Sequence, residues 1–236
     1  MNRLQNFLDG LKDGIPIGLG YFAVSFTFGL KAVPLGLTPW QAFLFSVANV
    51  TSAGQFAGLE MIAYRAAYAE IALAQLIINL RYCLMSTTLS QKLAPGVRSI
   101  HRFLMAYGVT DEIFALSAIR AGKLSPWYTY GLMAVAVPGW GFGTLFGALS
   151  GGILPATVLS ALGIAIYGMF LAIIIPPARS SRPVRLVVLA AMGLSLLFAL
   201  LPVLKAVSSG FQIIIVTLAV SLAAAWLAPI EEEHET

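Results

Sequence analysis

Charge is what this chain has least of. Asp, Glu, Lys and Arg make up 10% of its 236 residues, against 59% hydrophobic residues and a mean hydropathy of +0.88, a ratio foreign to soluble domains. Cysteine is nearly absent: Cys83 stands alone, which excludes an internal disulfide and a cysteine metal cluster. Of the two histidines, His101 lies in a basic loop and His234 in an acidic tail, so no metal-ligand set is visible and no cofactor is expected. No G-x-x-x-x-G-K-[ST] phosphate loop occurs, so the chain does not burn ATP by itself. Residues 1–14 lack the apolar core of a signal peptide, because Asp9 and Asp13 interrupt them.

What is there is a series of long apolar runs. No charge falls between Lys123 and Arg179, and residues 32–59, 186–204 and 206–230 are also free of charge. Runs of this length are bilayer-spanning helices, whereas a β-barrel would show short alternating segments. The fold class is an all-α polytopic membrane protein, one integral domain over 1–236. Spans are expected at 15–33, 40–63, 68–91, 126–149, 156–177, 185–204 and 210–228. Residues 103–121 are long enough to cross but carry Asp111 and Glu112 at their middle, so the total is seven or eight transmembrane helices. Leu4, Phe7, Leu8, Leu11 and Ile15 recur at helical spacing opposite Arg3, Gln5, Asp9 and Lys12, which predicts an interfacial amphipathic helix over 1–14. Residues 230–236 form an acidic, solvated tail. The sequence pI of about 9.3 does not signal nucleic acid, because Lys and Arg lie in short loops beside apolar spans.

Orientation turns on the 103–121 segment. With eight spans, a cytoplasmic N-terminus puts Arg3, Lys12, Arg65, Arg120, Lys123, Arg179, Arg182 and Arg185 inside. With seven spans, an external N-terminus puts Lys31, Lys92, Arg98, Arg102, Arg120, Lys123, Arg179, Arg182 and Arg185 inside, and the charge balance does not separate the two. An internal echo, F28-G29 with F146-G147, Pro39 with Pro155 and G54-Q55-F56 with G168-M169-F170, raises two structural repeats, inverted with seven spans and parallel with eight.

Four stretches carry polar chemistry inside apolar surroundings. Between Glu70 and Lys92 a single formal charge, Arg81, sits at the midpoint of a span. A central arginine costs about 2.5–3.5 kcal/mol on insertion scales, so it faces a bundle interior or a wet cavity and holds something negative. Its guanidinium suits a carboxylate ligand, with Asn79 beside it; an ion pair to Asp111 or Glu112 that ties two helices is the structural alternative. N49-V50-T51-S52-A53-G54-Q55-F56 interrupts another span, either as small-residue packing or as a helix broken at the midplane that turns backbone dipoles toward a ligand. P16-I17-G18-L19-G20-Y21 reads either as Pro in a first turn with glycines for packing, or as an irregular helix start whose N–H groups face a ligand. In T110-D111-E112, Thr110 is an N-cap candidate and the acids are first-turn residues; embedded, they become proton carriers or ammonium partners.

Together these stretches resemble a known family. P16-I17-G18-L19-G20-Y21, F28-G29, G36-L37-T38, A53-G54-Q55-F56, N79-L80-R81-Y82-C83-L84-M85 and T110-D111-E112-I113-F114-A115 look like the AzlC-type branched-chain amino-acid exporters of bacteria, in order and spacing over about residues 10–120. Two departures stand out: Tyr82 replaces the histidine that usually follows the arginine, and the family's Gly-Ala-(Ser/Ala)-Gln-Phe stretch reads S52-A53-G54-Q55-F56. The resemblance implies a multi-pass protein of the bacterial cytoplasmic membrane that expels valine-like amino acids with a small AzlD-type membrane subunit. On that basis Arg81, Asn79, Gln55, Ser52, Thr51, Phe56 and Tyr21 are candidate substrate-binding residues, with Phe28 or Met85 beside the apolar side chain, and Asp111 and Glu112 are candidate proton-coupling residues. A non-transporting scaffold subunit and a passive channel for small zwitterions stay open. A membrane-embedded enzyme would need a nucleophile–base pair or metal ligands in its spans, and neither histidine is placed for that.

Overall fold

The computed structural model describes residues 2–151, 154, 155, 157, 171, 174–201, 204 and 207–227. Within them the elements are helices, without a strand: α1 (Arg3–Ala32), α2 (Pro39–Asn49), α3 (Ser52–Ala63), α4 (Tyr68–Lys92), α5 (Ser99–Tyr107), α6 (Asp111–Ile119), α7 (Pro126–Ser150), α8 (Arg182–Leu200) and α9 (Ser209–Leu227). Five of these, α1, α4, α7, α8 and α9, are long and apolar enough to cross a bilayer, as a multi-pass membrane protein requires. Most of the expected span at 156–177 and the tail at 230–236 lie outside the described residues. Contacts divide the chain into two units, residues 1–60 with 79–166 and residues 61–78 with 167–236.

The first unit is built on α1 and α7. Asn2 caps α1 by accepting from Leu4 N at 3.5 Å, and the helix runs unbroken past Pro16 to Ala32. The amphipathic stretch 1–14 therefore forms the first turns of the same helix as 15–33, and P16-I17-G18-L19-G20-Y21 is mid-helix rather than an irregular start. Packing accounts for this. A Cβ added at Gly10 would meet Gly131 Cα at 3.0 Å, and one added at Gly139 would meet Gly18 Cα at 3.0 Å, so the backbones touch where no side chain intervenes. Further along, Gly147 lies against the Phe26 backbone, so the two helices run parallel along their length. Parallel spans must be separated by an odd number of crossings.

The connection supplies one crossing, α4, flanked by two re-entrant hairpins. In the first, Thr38 and Gln41 form a capping box and Pro39 opens α2. Near the far end of α1, Phe28 packs on Phe45 of α2 at 5.9 Å and on Phe56 of α3 at 5.2 Å, and Lys31 pairs with Glu60. Both legs thus begin and end beside the C-terminal end of α1. In the second hairpin, His101 of α5 meets Tyr130 at 2.8 Å, while Arg120, just past α6, reaches Asp9 at 2.7 Å, so both legs lie beside the N-terminal ends of α1 and α7. The end of α4 arrives at the same level, where Leu124 N donates to Lys92 O at 2.9 Å. The legs have 11, 12, 9 and 9 residues. At about 14–18 Å each they cover roughly half of an about 30 Å hydrocarbon core. The expected span at 40–63 is thus folded back on itself, and 103–121 does not cross either. A polar break at mid-depth allows the chain to turn there once protein buries it.

These two halves repeat with opposite orientation. I17-x-L19-x-Y21-x-x-x-S25-x-T27 in α1 matches I78-x-L80-x-Y82-x-x-x-S86-x-T88 in α4, and F43-L44, V50-T51 and F56-A57 in the first hairpin match F103-L104, V109-T110 and F114-A115 in the second. The earlier echo pairs Phe28-Gly29 with Phe146-Gly147, on two helices that run parallel, and its members at 168–170 lie outside the described residues. The inverted repeat is α1–α2–α3 against α4–α5–α6, the arrangement many secondary transporters use. It also sorts the charges of the first unit: Arg3, Lys12, Lys92, Arg98, Arg102, Arg120 and Lys123 gather at the N-terminal end of α1, against Lys31 at the other. By the positive-inside rule the expected orientation of this unit has the N-terminal end of α1 on the cytoplasmic side.

In the second unit α8 begins at an N-cap, Ser181, followed by Pro183. Glu70 is buried and accepts from Ser208 Oγ, while Gly210 at the start of α9 lies against Glu70 and Met61.

In a Cys83→Ser background, Tyr64→Cys is expected to react with a membrane-impermeant maleimide on intact cells, and Ser99→Cys only after the membrane is opened. The reverse pattern contradicts a re-entrant first hairpin with a cytoplasmic N-terminus, and labelling of both from one side contradicts the crossing of α4.

Candidate functional site

The two hairpin tips, Val50-Thr51 and Gly108-Val109-Thr110, meet side chains from the middle of α1, α4 and α7. Arg81 is central. Its Nη1 donates to Asp111 Oδ2 at 2.5 Å, its Nη2 lies 3.4 Å from the Tyr82 hydroxyl, and its charge lies over the Tyr82 ring, 5.1 Å from the centroid. The guanidinium has five N–H donors, so these bonds leave capacity for a ligand. Side-chain exposures of 43% for Arg81 and 37% for Asp111 keep the pair open to one.

Each repeat grips the tip of the other. Tyr82 of α4 donates to Thr51 Oγ1 at 3.3 Å, and Thr51 donates to Asn79 Oδ1 at 2.8 Å. In mirror fashion the Tyr21 hydroxyl of α1 bonds the Glu112 carboxylate and lies 2.6 Å from Thr110 Oγ1. Thr110 also caps α6, accepting from Ile113 N at 3.4 Å, so Asp111 and Glu112 are first-turn acids favoured by the helix dipole. The first hairpin is tied to the second by Tyr107, whose hydroxyl donates to Val47 O at 2.6 Å.

Beneath the tips a sealed polar network holds the first hairpin to α7. Trp140 Nε1 donates to Gln55 Oε1 at 2.9 Å, Gln55 Nε2 donates to Ser46 Oγ, and Ser46 shares a 2.6 Å bond with Thr144, all buried. The Trp140 ring meets Tyr21 edge-on at 5.5 Å, which connects this network to the tips.

Of the residues expected at a site, the fold brings Tyr21, Thr51, Asn79, Arg81, Asp111 and Glu112 together. Gln55 is fully buried and both ends of its amide are engaged, so it is a structural hub and not an open ligand contact. Phe56 and Phe28 are closed into a core with Ala32, Ala42, Leu59 and Ala148, away from Arg81, and Met85 packs against the core of the other hairpin. Among the described residues Ser52 Oγ, a buried atom, has no hydrogen-bond partner. Sequence reasoning missed Tyr82 as a tip contact and Thr110 as more than a cap, and the V-T pair shared by positions 50–51 and 109–110 was the available signal. Among the described residues no cluster of three His, Cys, Asp or Glu side chains could hold a metal ion.

Known proteins resemble the chain over most of its length. A family model described as AzlC protein matches residues 16–154, from the start of the I-x-L-x-Y repeat to just beyond α7. The inner membrane protein YgaZ of Escherichia coli is 30% identical over 176 residues, covering 72% of each chain. An uncharacterized membrane protein of Archaeoglobus fulgidus is 33% identical over 178 residues, covering 75% of this chain and 78% of its own. No solved structure matches.

Replacing Gln55 with Leu strands the Trp140 N–H and removes a partner from Ser46. An orphaned buried donor costs about 1–3 kcal/mol, so Gln55→Leu is expected to lower the thermal unfolding midpoint in detergent well below that of wild type. An unchanged midpoint contradicts the network.

Proposed function

The chain belongs to the AzlC family, and from there we propose that it is the large subunit of a secondary transporter of the bacterial cytoplasmic membrane that exports branched-chain, valine-like amino acids. Efflux runs by exchange against protons, with a small AzlD-type membrane protein as partner. The observation that carries this reading is the meeting of two oppositely oriented re-entrant tips at Arg81. Broken helices at mid-depth, from inverted repeats, are how many secondary transporters expose a site to each side in turn. Arg81 attracts the substrate carboxylate and Asp111 its ammonium. Glu112, held by Tyr21, carries the proton. With Phe28 and Phe56 closed into the core, the aromatic surfaces at the site belong to Tyr21 and Tyr82.

The Arg81–Asp111 pair also favours a second reading, a scaffold in which the pair fastens α4 to α6 and transport resides elsewhere. Flux in proteoliposomes separates them. With the small partner present and a pH gradient imposed, wild type is expected to move L-valine, and folded Arg81→Ala to fall to the background rate. Gradient-driven flux retained in Arg81→Ala contradicts the site; Arg81→Ala that folds but no longer co-purifies with the partner supports the scaffold.

A further inference from the structure

The inverted repeat gives each half a groove between its long helix and the first leg of its hairpin. In the first repeat Phe28 and Ala32 of α1 face Ala42 and Phe45 of α2, and α7 fills the space over them. Ala148 of α7 joins that core, Thr144 shares its 2.6 Å bond with Ser46, and the Thr144 backbone lies against Gly29. In the second repeat the matching residues are Leu89 and Leu93 of α4 and Arg102 and Met105 of α5. There a groove with about 240 Å³ of space not taken by protein stays open between α4 and α5. Its floor is apolar: Leu89, Leu93, Met105 and Val109 are all buried in the core of this half. Its rim is polar and outward. Arg102, standing where the first repeat has Ala42, is exposed and donates from Nη1 to Ser90 Oγ, and Ala106 and Phe103 beside it are exposed too.

Charge here is one-sided. No Asp or Glu occurs from Ile71 to Thr110, so neither wall of the groove offers Arg102 an acid. Arg102 and Arg98, one turn apart, take part in none of the ion pairs among the described residues. The depth is marked by aromatic residues. Trp127 and Tyr130 of α7 pack edge-on at 5.7 Å, and Tyr130 bonds His101 at 2.8 Å. Trp and Tyr gather where hydrocarbon meets headgroups, which puts Arg102, next to His101, at headgroup level. From there the apolar floor descends toward the hairpin tip at Val109.

We propose that the α4–α5 groove binds an anionic phospholipid, with its phosphate on Arg102 and Ser90 and one acyl chain along the apolar floor. The site is independent of what the chain transports. Basic pockets between spanning helices hold anionic headgroups, and a guanidinium matches phosphate oxygens in pairs. Size decides against a helix as occupant. One helical turn, about 10 Å across and about 5.4 Å long, takes about 400 Å³, more than the groove holds, whereas an acyl chain is far thinner.

The test uses the full chain, purified in detergent, stripped of lipid and titrated with dioleoyl phosphatidylglycerol or dioleoyl phosphatidylcholine, with bound lipid counted by native mass spectrometry. Wild type is expected to bind phosphatidylglycerol about five- to tenfold more tightly. Arg102→Gln should remove that preference. Lys12→Gln, which removes one exposed charge on α1 outside the groove, should keep it. Ala106→Phe fills the groove and should weaken both lipids; if it fails to fold, the Arg102→Gln and Lys12→Gln pair still decides. Equal binding of the two lipids by wild type, a preference that Arg102→Gln retains, or one that Lys12→Gln loses to the same extent overturns the proposal. Folded Ala106→Phe that keeps wild-type lipid binding but no longer co-purifies with the small membrane subunit overturns it as well, and assigns the groove to that protein.

Discussion

A chain that turns back halfway through a bilayer must hide the turn, because lipid offers nothing to hydrogen-bond a freed N–H or C=O. This constraint organises the first unit. The backbone-to-backbone contact of α1 and α7, possible because Gly10, Gly18, Gly131 and Gly139 carry no side chains, makes a thin parallel wall. Both hairpins lean on it: Phe28, Phe45 and Phe56 fill the space between the wall and the first, and Met105, Val109 and Ile113 face Leu124, Tyr128 and Leu132 in the second. Each tip then finds its polar partners on the long helix of the other repeat, Thr51 on α4 and Thr110 on α1.

That crossed bonding connects fold to function. A tyrosine of each repeat holds the threonine of the opposite tip, so movement of one hairpin alters the support of the other. Most of the symmetry is in the backbone and the two Tyr–Thr contacts. The chemistry lies where the repeats differ, Gly20 against Arg81 and Ser52-Ala53 against Asp111-Glu112. One tip is left neutral with a helix N-terminus, and the other carries acids beside a guanidinium.

Much of this was legible in the residues. An arginine alone in an apolar span announces a polar partner, and Asp111 is that partner. Thr51 and Asn79 proved to be neighbours, and Thr110 caps α6 as its place before two acids suggests. Hydropathy could not tell a hairpin from a span, because 40–63 and 103–121 have the length of a crossing and their turns are marked by only a few polar residues. The direction of return is fixed by long-range contacts such as Phe28 with Phe45 and Phe56, which no local pattern encodes. Gln55 looked like a ligand contact for the same reason: its partners Ser46 and Trp140 are distant in sequence. The inverted repeat was written in I17-x-L19-x-Y21 and I78-x-L80-x-Y82, but comparing the first half of the chain with the second aligns the wrong helices.

The account stands on the first hairpin returning to the side it entered. With Cys83 replaced by Ser, cysteines at Lys31 and Glu60, which form an ion pair in the fold, should be joined in native membranes by a short bifunctional maleimide. If residues 40–63 crossed the bilayer, the two positions would lie about 30 Å apart on opposite faces. Efficient cross-linking within one chain is the expected result; its absence, with the two cysteines labelling from opposite sides, would contradict the inverted hairpins and the site built on them.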